Sequence, residues 1–459
     1  MHDRGDTIAA IATPVGTGSI GVIRVSGNKA IDIGGRCFNG SAGLADSPHG
    51  SFRHGRLVNP ETGEIIDEVI VSVFRAPHSY TAEDTLEISC HGNPYILREA
   101  LDLIVAQGAR YADPGEFTLR AYLNGRIDLT QAEAVDDLIR AHTGYAKTAA
   151  LAGLSGKLSG ALAEIHSSLL DLLALFEASV DHSDLDIDFQ SPSEYISSIN
   201  TIRGRILKLL STARAGKILS GGLHTAIIGA PNTGKSSLMN LLLREDRVLV
   251  SEIEGTTRDT VEDELNIGGI PVRLIDTAGI RATGDSIEKM GIERSLAALE
   301  KADLRIAVFD SSRAVSEYDR KIFAHVKDKD CIYVLNKSDL PGKFTPGDFK
   351  KEFGADALAL SAAAGDGLPA LENAVLEFYF SLGVNPSVDT MVTNARQEEC
   401  LREAAGYLEK AVSAIESGLS EEFAASDIRK ARGAVEEITG KTSGDAILDR
   451  IFSKFCIGK

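Results

Sequence analysis

The run Gly229-Ala230-Pro231-Asn232-Thr233-Gly234-Lys235-Ser236 has the spacing G-x-x-x-x-G-K-[ST], between a β-like run and a helix-like one. Triphosphate binding needs that order. Glycines let backbone N–H groups wrap the phosphates, and the start of a helix adds positive potential. Lys235 is placed to reach the β- and γ-phosphates, and the Ser236 hydroxyl to coordinate Mg²⁺. Asn232, Thr233, Gly234 and Ser237 complete the loop expected against the nucleotide.

Further along, Asp276-Thr277-Ala278-Gly279 closes a β-run. An Asp there holds Mg²⁺ through water, and Gly279 senses the γ-phosphate. Asn336-Lys337-Ser338-Asp339 ends another strand, where the Asp339 carboxylate accepts both guanine N–H donors, a pattern adenine lacks. Ser361-Ala362-Ala363 follows the last strand and suits a backbone contact to guanine O6. Gly255-Thr256-Thr257-Arg258-Asp259 offers Thr257 to the Mg²⁺ shell. Each motif alone is weak; in this order they specify a GTPase. Ras-type enzymes orient the attacking water with a Gln directly after DTAG. Ile280 stands there, so another group must serve, and the loop Arg281 to Glu293 offers Arg281 and Glu288.

The elements that must position these residues follow from periodicity. Strands fit Leu223–Ile228, Val272–Ile275, Leu304–Phe309, Ile332–Leu335 and Leu358–Leu360, alternating with helices as in a parallel sheet. The Gly268-Gly269 pair predicts a hairpin carrying one antiparallel strand. Residues 1–120 alternate β-runs (Ile20–Val25, Val69–Phe74, Thr85–Ser89) with turns and one helix over Pro94–Gln107, an α+β domain. From Asp128 the texture turns helical. Thr130-Gln131-Ala132-Glu133 is a capping-box pattern. Leu158, Leu162, Ile165, Leu169, Leu172 and Phe176 form one apolar stripe, which Leu170, Leu173 and Leu175 widen. After 383 the pattern is helical again. The expected organisation is an α+β domain at 1–120, a helical domain in two pieces (121–216 and 383–459), and a Ras-like P-loop α/β domain at 217–382 inserted between them.

Composition sets the outer limits. The 459 residues exceed one core and imply two to four domains. A hydrophobic share of 43% with 25% charged residues excludes collagen-like, mucin-like and wholly disordered chains. The longest apolar stretches are short and β-like, so no transmembrane helix and no membrane partner are expected, and no export signal precedes them. Five scattered cysteines without CxxC spacing fit a reduced, cytoplasmic compartment and no zinc knuckle. The net charge of −18 is spread along the chain and argues against a general nucleic-acid binder.

With these motifs in place, the chain resembles the MnmE (TrmE) family of tRNA-modification GTPases along its whole length. The resemblance rests on GAPNTGKSSLMN, GTTRD and DTAGIR…GIERS. Outside the α/β domain it rests on Gly21 to Gly27, His78 to Asp84, Pro114 to Arg120 and the terminal Phe455 to Lys459. It implies a potassium-dependent GTPase with Asn232, Ser251, Ile253 and Thr256 as K⁺ ligands and Glu288 as the catalytic, water-orienting residue beside Asn232 and Lys235. The ion would stand where an arginine finger otherwise places charge. It implies a homodimer whose N-terminal domain binds 5,10-methylene-tetrahydrofolate or 5-formyl-tetrahydrofolate at Arg24, Glu87, Arg126 and Lys459. The Arg at 126 replaces the Lys of some relatives. It also implies an FAD- and NADH-using partner, MnmG (GidA), and tRNA as substrate, with carboxymethylaminomethyl modification of the wobble uridine at C5. The competing reading is a ribosome-assembly GTPase switch without modification chemistry; no KH-like clamp follows residue 383.

Two features stay open in the sequence. Cys456 reads equally as a thiol near the folate chemistry and as a small buried hydrophobe. The acidic run Asp181 to Asp188 lacks the Gly and terminal Glu of a calcium loop and reads as a solvated helix end.

Overall fold

The computed structural model describes residues 5–181, 191–245, 264–275, 300, 302–383, 385, 389–442 and 444–459. The chain divides into two compact units. One gathers residues up to Asp136 together with 436–459, and the other runs from Asp137 to Val435.

The first unit is built on a sheet of seven strands: β1 (Ile8–Ile11), β2 (Ile20–Ser26), β3 (Phe38–Gly40), β4 (Ser51–Val58), β5 (Ile65–Phe74), β6 (Thr85–His91) and β7 (Arg110–Tyr111). Their order is β3-β4-β5-β6-β2-β1-β7, antiparallel except for β1 with β7. The period of two sorts the side chains. Ile23, Val25, Leu86 and Ile88 face a core shared with Leu97, Ala100, Leu101 and Ile104 of the helix Pro94–Ala106. Arg24 and Glu87 are register partners on the opposite face. Asn93 caps that helix by accepting the Tyr95 N–H, and Gln107 closes it as C-cap, one residue earlier than its apolar period implies.

A buried ionic network ties this sheet to the helix Glu116–Leu123. Arg120, 7% exposed, donates to the Asp6 carboxylate at 2.5 Å, to Glu116 at 3.1 Å and to Glu83 at 3.3 Å. Arg110 donates to Glu116 at 2.6 Å and to Asp6 at 2.8 Å. The same helix receives the end of the chain. Gly115 N–H donates to the Cys456 carbonyl and Phe117 N–H to the Lys459 carbonyl, while Phe452 and Phe455 pack beside Leu129 and Ala132. Gly115 sits at φ 70°, and a Cβ there would lie 2.7 Å from the Phe452 oxygen. The helix Leu129–Arg140 is capped differently from its sequence pattern. Asp128 accepts the Gln131 N–H, and Gln131 Oε1 accepts the Asp128 N–H. Thr130, the expected cap, instead donates its hydroxyl to Asp128.

In the second unit the helix Lys157–Asp181 buries the whole stripe from Leu158 to Phe176. Phe176 stacks 4.3 Å from Tyr195 of the helix Pro192–Ser211. Leu173 joins the stripe, but Leu170 and Leu175 lie exposed on the far side, so it is narrower than the leucine count implies. Among the described residues this helix, over Lys157–Ser179, is long and apolar enough to cross a membrane, contrary to the expectation that none would be.

The α/β part of this unit has six strands: β8 (Leu223–Gly229), β9 (Glu264–Ile267), β10 (Ile270–Ile275), β11 (Leu304–Asp310), β12 (Cys331–Asn336) and β13 (Leu358–Ala359). Their order is β13-β12-β11-β8-β10-β9, parallel apart from β9. Gly268 and Gly269, at φ 56° and 94°, make the expected two-residue hairpin. Tyr145 and Ala149 of the helix Gly144–Leu154 pack on that hairpin and the core behind it. The chain enters this sheet through the helix Ala213–Gly221 and leaves it through Met391–Asn394, and the two segments are clasped. Thr212 Oγ1 accepts the Val392 N–H, Ser220 donates to the Thr393 carbonyl, and Lys217 pairs with Glu398 at 2.6 Å. Any Cβ at Gly216 would overlap the Val392 carbonyl.

Burial pushes the Asp6 and Glu116 carboxyls up, but their arginine partners outweigh it and hold both below the usual carboxylate range. Stability from such groups is present above their unfolded pKa and is lost as pH falls through the lowered folded values. Arg120→Ala leaves Glu83 without an ion pair among the described residues and Asp6 and Glu116 with Arg110 alone, so urea unfolding should show a loss of about 3 kcal/mol, with acid unfolding beginning at higher pH.

Candidate functional site

β8 lies between β10 and β11, where the sheet is built outward in opposite directions, and ligands bind beyond the carboxyl ends of strands at such a point. The loop Ala230–Gly234 stands there and opens into the helix Lys235–Glu245. Asn232 has a left-handed backbone at φ 63° and an exposed side chain; Gly234 follows at φ 93°. Thr233 is buried, and its hydroxyl donates to the Ala230 carbonyl. Lys235 Nζ donates to the carbonyls of Gly229 and Ala230 at 2.9 Å each, bending back over the loop. Burial alone lowers its pKa, a cost that an arriving phosphate anion would reverse. Ser236 and Ser237 are exposed in the first helical turn, where free N–H groups and a hydroxyl suit a phosphate and its Mg²⁺.

Asn336 holds the two halves of the site together. Its Nδ2 donates to the Thr233 carbonyl at 2.8 Å, and its Oδ1 accepts the Ala362 N–H at 2.9 Å. Both ends of the amide are used, so Asn336 braces the phosphate loop against the base loop. Gly234 is required beneath it, because a Cβ there would overlap Asn336 Nδ2. Lys337, at φ 65°, sends its ammonium to Asp310 at 2.7 Å. Asp339 is exposed and accepts the buried Ser361 hydroxyl at 2.6 Å on one oxygen. The other has no protein partner among the described residues. Of the Ser361-Ala362-Ala363 donors, Ser361 N bonds Asp366 and Ala362 N bonds Asn336. Among the described residues the Ala363 N–H is the one left for a base carbonyl. Ser251, Ile253, Thr256, Thr257, Asp276, Thr277, Ala278, Gly279 and Glu288 lie outside the described residues.

The first unit carries a second site, a cavity of about 500 Å³ lined by Phe74, Ser79, Tyr80, Thr85, Glu87 and Arg126 among others. Arg24 Nε and Nη2 both donate to Glu87 Oε1, at 3.0 and 2.9 Å, and Nη1 donates to the Gly458 carbonyl at 3.3 Å. The guanidinium carbons of Arg24 and Arg126 lie 5.2 and 5.1 Å from the Tyr80 ring centre, and Arg126 donates to the Tyr80 carbonyl at 2.6 Å. Burial, with Arg24 nearby, holds the Lys459 ammonium below its usual range. Arg24, Glu87, Arg126 and Lys459 thus converge from two strands, a turn and the chain end. Sequence reasoning missed Ser79 and Tyr80; both lie inside the His78 to Asp84 motif, which carried no role. Cys456 is exposed, against the reading as a buried hydrophobe, whereas Cys37 and Cys90 are buried, with thiols pushed up to about 11 and about 12.

A parallel sheet with a phosphate loop after its central strand and an NKSD carboxylate at its carboxyl edge defines a P-loop GTP-binding domain. Two family profiles match the chain: "MnmE helical domain" over residues 129–456 and "GTP-binding protein TrmE N-terminus" over residues 7–126. The chain belongs to the MnmE family. The tRNA modification GTPase MnmE of Lactobacillus acidophilus is 42% identical over 454 residues, covering 99% of this chain and 98% of that protein. That of Geobacillus thermodenitrificans is 43% identical over 458 residues, covering 99% of each. Among solved structures, the G domain of the T. maritima FeoB iron transporter aligns with 34% of this chain and 98% of its own, at 22% identity and TM-score 0.27.

Gly234→Ala should displace Asn336 and strain the loop, since the backbone there is left-handed. Titration with a fluorescent guanine nucleotide should show affinity reduced by at least about 100-fold, the order expected when several hydrogen bonds fail together.

Proposed function

We propose that this protein hydrolyses GTP in the course of modifying tRNA, installing the carboxymethylaminomethyl group at C5 of the wobble uridine with an FAD-dependent partner of the MnmG (GidA) kind. The observation that carries the nucleotide half is the brace at Asn336, which sets a phosphate loop and a guanine-selective carboxylate, Asp339, at one sheet edge. The full-length likeness to proteins named tRNA modification GTPase MnmE supports the tRNA half.

The cavity of the first unit is read as the site of 5,10-methylene-tetrahydrofolate, or of 5-formyl-tetrahydrofolate as its stable analogue. When bound, that cofactor would supply a one-carbon unit. The residues fit it. Glu87, steadied by Arg24, presents a carboxylate to N–H donors; Arg126 and Lys459 offer cationic groups to an anionic tail; Tyr80 and Phe74 offer ring faces. In the nucleotide site, Mg²⁺ is assigned to Ser236 and Thr257, and K⁺ to Asn232, Ser251, Ile253 and Thr256, with Glu288 orienting water. The exposed amide of Asn232 on a left-handed backbone favours its part in this set, because it has no hydrogen bond among the described residues. A homodimer is the assembly proposed. With a net charge of −18, the chain leaves most of the tRNA grip to its partner.

Mass analysis of tRNA from a strain lacking this protein should show wobble uridines without the substituent; unchanged uridines would favour a GTPase switch without modification chemistry. Replacing K⁺ by Na⁺ should reduce hydrolysis by at least about 10-fold, as loss of a charge-stabilising group does. Equal rates would remove the ion from the site.

A further inference from the structure

The wall of the cavity in the first unit contains a polar group that the protein leaves unused. Ser79 is 7% exposed, and its hydroxyl has no hydrogen-bond partner among the described residues. Its neighbours are otherwise satisfied. Ser26, Thr81 and Thr85 bond one another and Glu83, and Tyr80 donates to or accepts from Thr118 at 2.8 Å. A buried hydroxyl without a partner destabilises a fold, whereas an alanine at the same place does not. The backbone at Ser79 is not left-handed, so no conformational demand calls for serine there.

We propose that Ser79 is a ligand-binding residue of this cavity, whose hydroxyl meets a polar atom of the bound molecule and discriminates for it. The proposal rests on the folate reading given above and adds a contact to it. Ser79 lines the same cavity as Glu87 and Arg126, whose groups are already engaged in part. Glu87 Oε1 takes both Arg24 donors, and one Arg126 N–H is spent on the Tyr80 carbonyl. Ser79 supplies what these two cannot, a neutral group that both donates and accepts. In the free protein the hydroxyl is turned out of reach of solvent. The assignment requires rotation about its single side-chain torsion, between staggered positions, to present it to the cavity. The stability lost in the free state is recovered when the ligand arrives, a pattern common where a site is kept ready for binding.

The test uses the full-length protein and 5-formyl-tetrahydrofolate, comparing wild type with Ser79→Ala by calorimetry and by thermal unfolding without ligand. The inference expects affinity reduced by about 10-fold or more, as when a ligand polar atom loses its buried partner. It expects the unliganded melting temperature to be unchanged or raised. Unchanged affinity overturns it. A lowered melting temperature also overturns it, since that result marks a structural serine. Absence of binding by wild type is a different failure: it sinks the folate reading itself, and the Ser79 assignment with it.

Discussion

A buried amide must have both of its ends satisfied, and at Asn336 that requirement organises the nucleotide site. One end can be met only by a carbonyl of the phosphate loop, the other only by an N–H of the loop after β13. The side chain thus fixes the distance between the place where phosphates sit and the place where a base is read. Gly234 exists to leave room for it. The parallel sheet makes this possible, because the carboxyl ends of β8 and β12 open on the same edge with β11 between them.

The first unit meets the same demand with charge. Arg120 and Arg110 hold three carboxylates at or near the core: Asp6 and Glu116 are shared between the two arginines, while Glu83 pairs with Arg120. The network joins the segment containing Glu83, which leads out of the cavity wall, to the helix that receives the chain end. In this way the convergence of Arg24, Glu87, Arg126 and Lys459 depends on residues that touch none of the cavity themselves.

How much of this could be read in the sequence depends on the range of the interaction. The strand, loop and helix around Gly229 to Ser236 were legible, because their pattern is held in eight consecutive residues flanked by a strand and a helix. The Gly268-Gly269 hairpin was legible for the same reason. The brace at Asn336 was not, since its partners are 103 residues before it and 26 after it. The capping box was placed two residues late, because Thr130 and Asp128 are both good caps and only the fold shows which oxygen faces the helix end. Leu170 and Leu175 looked like core by type, yet the neighbouring helix covers only one side. The four folate positions came from resemblance, while Ser79 and Tyr80, in the same motif, became visible only when the chain closed a cavity around them.

The clasp between the helix Ala213–Gly221 and Met391–Asn394 has a mechanical consequence. The inserted domain hangs from two adjacent strands of chain pinned side by side, with Gly216 against the Val392 backbone. Tyr145 and Ala149 of the helix Gly144–Leu154 pack on the same sheet, so it is held by side chains as well as by its two chain connections. The same closeness puts the two ends of the inserted segment within reach of a short linker, although removing it would uncover Ala149, Ile218 and Leu219, which share its core.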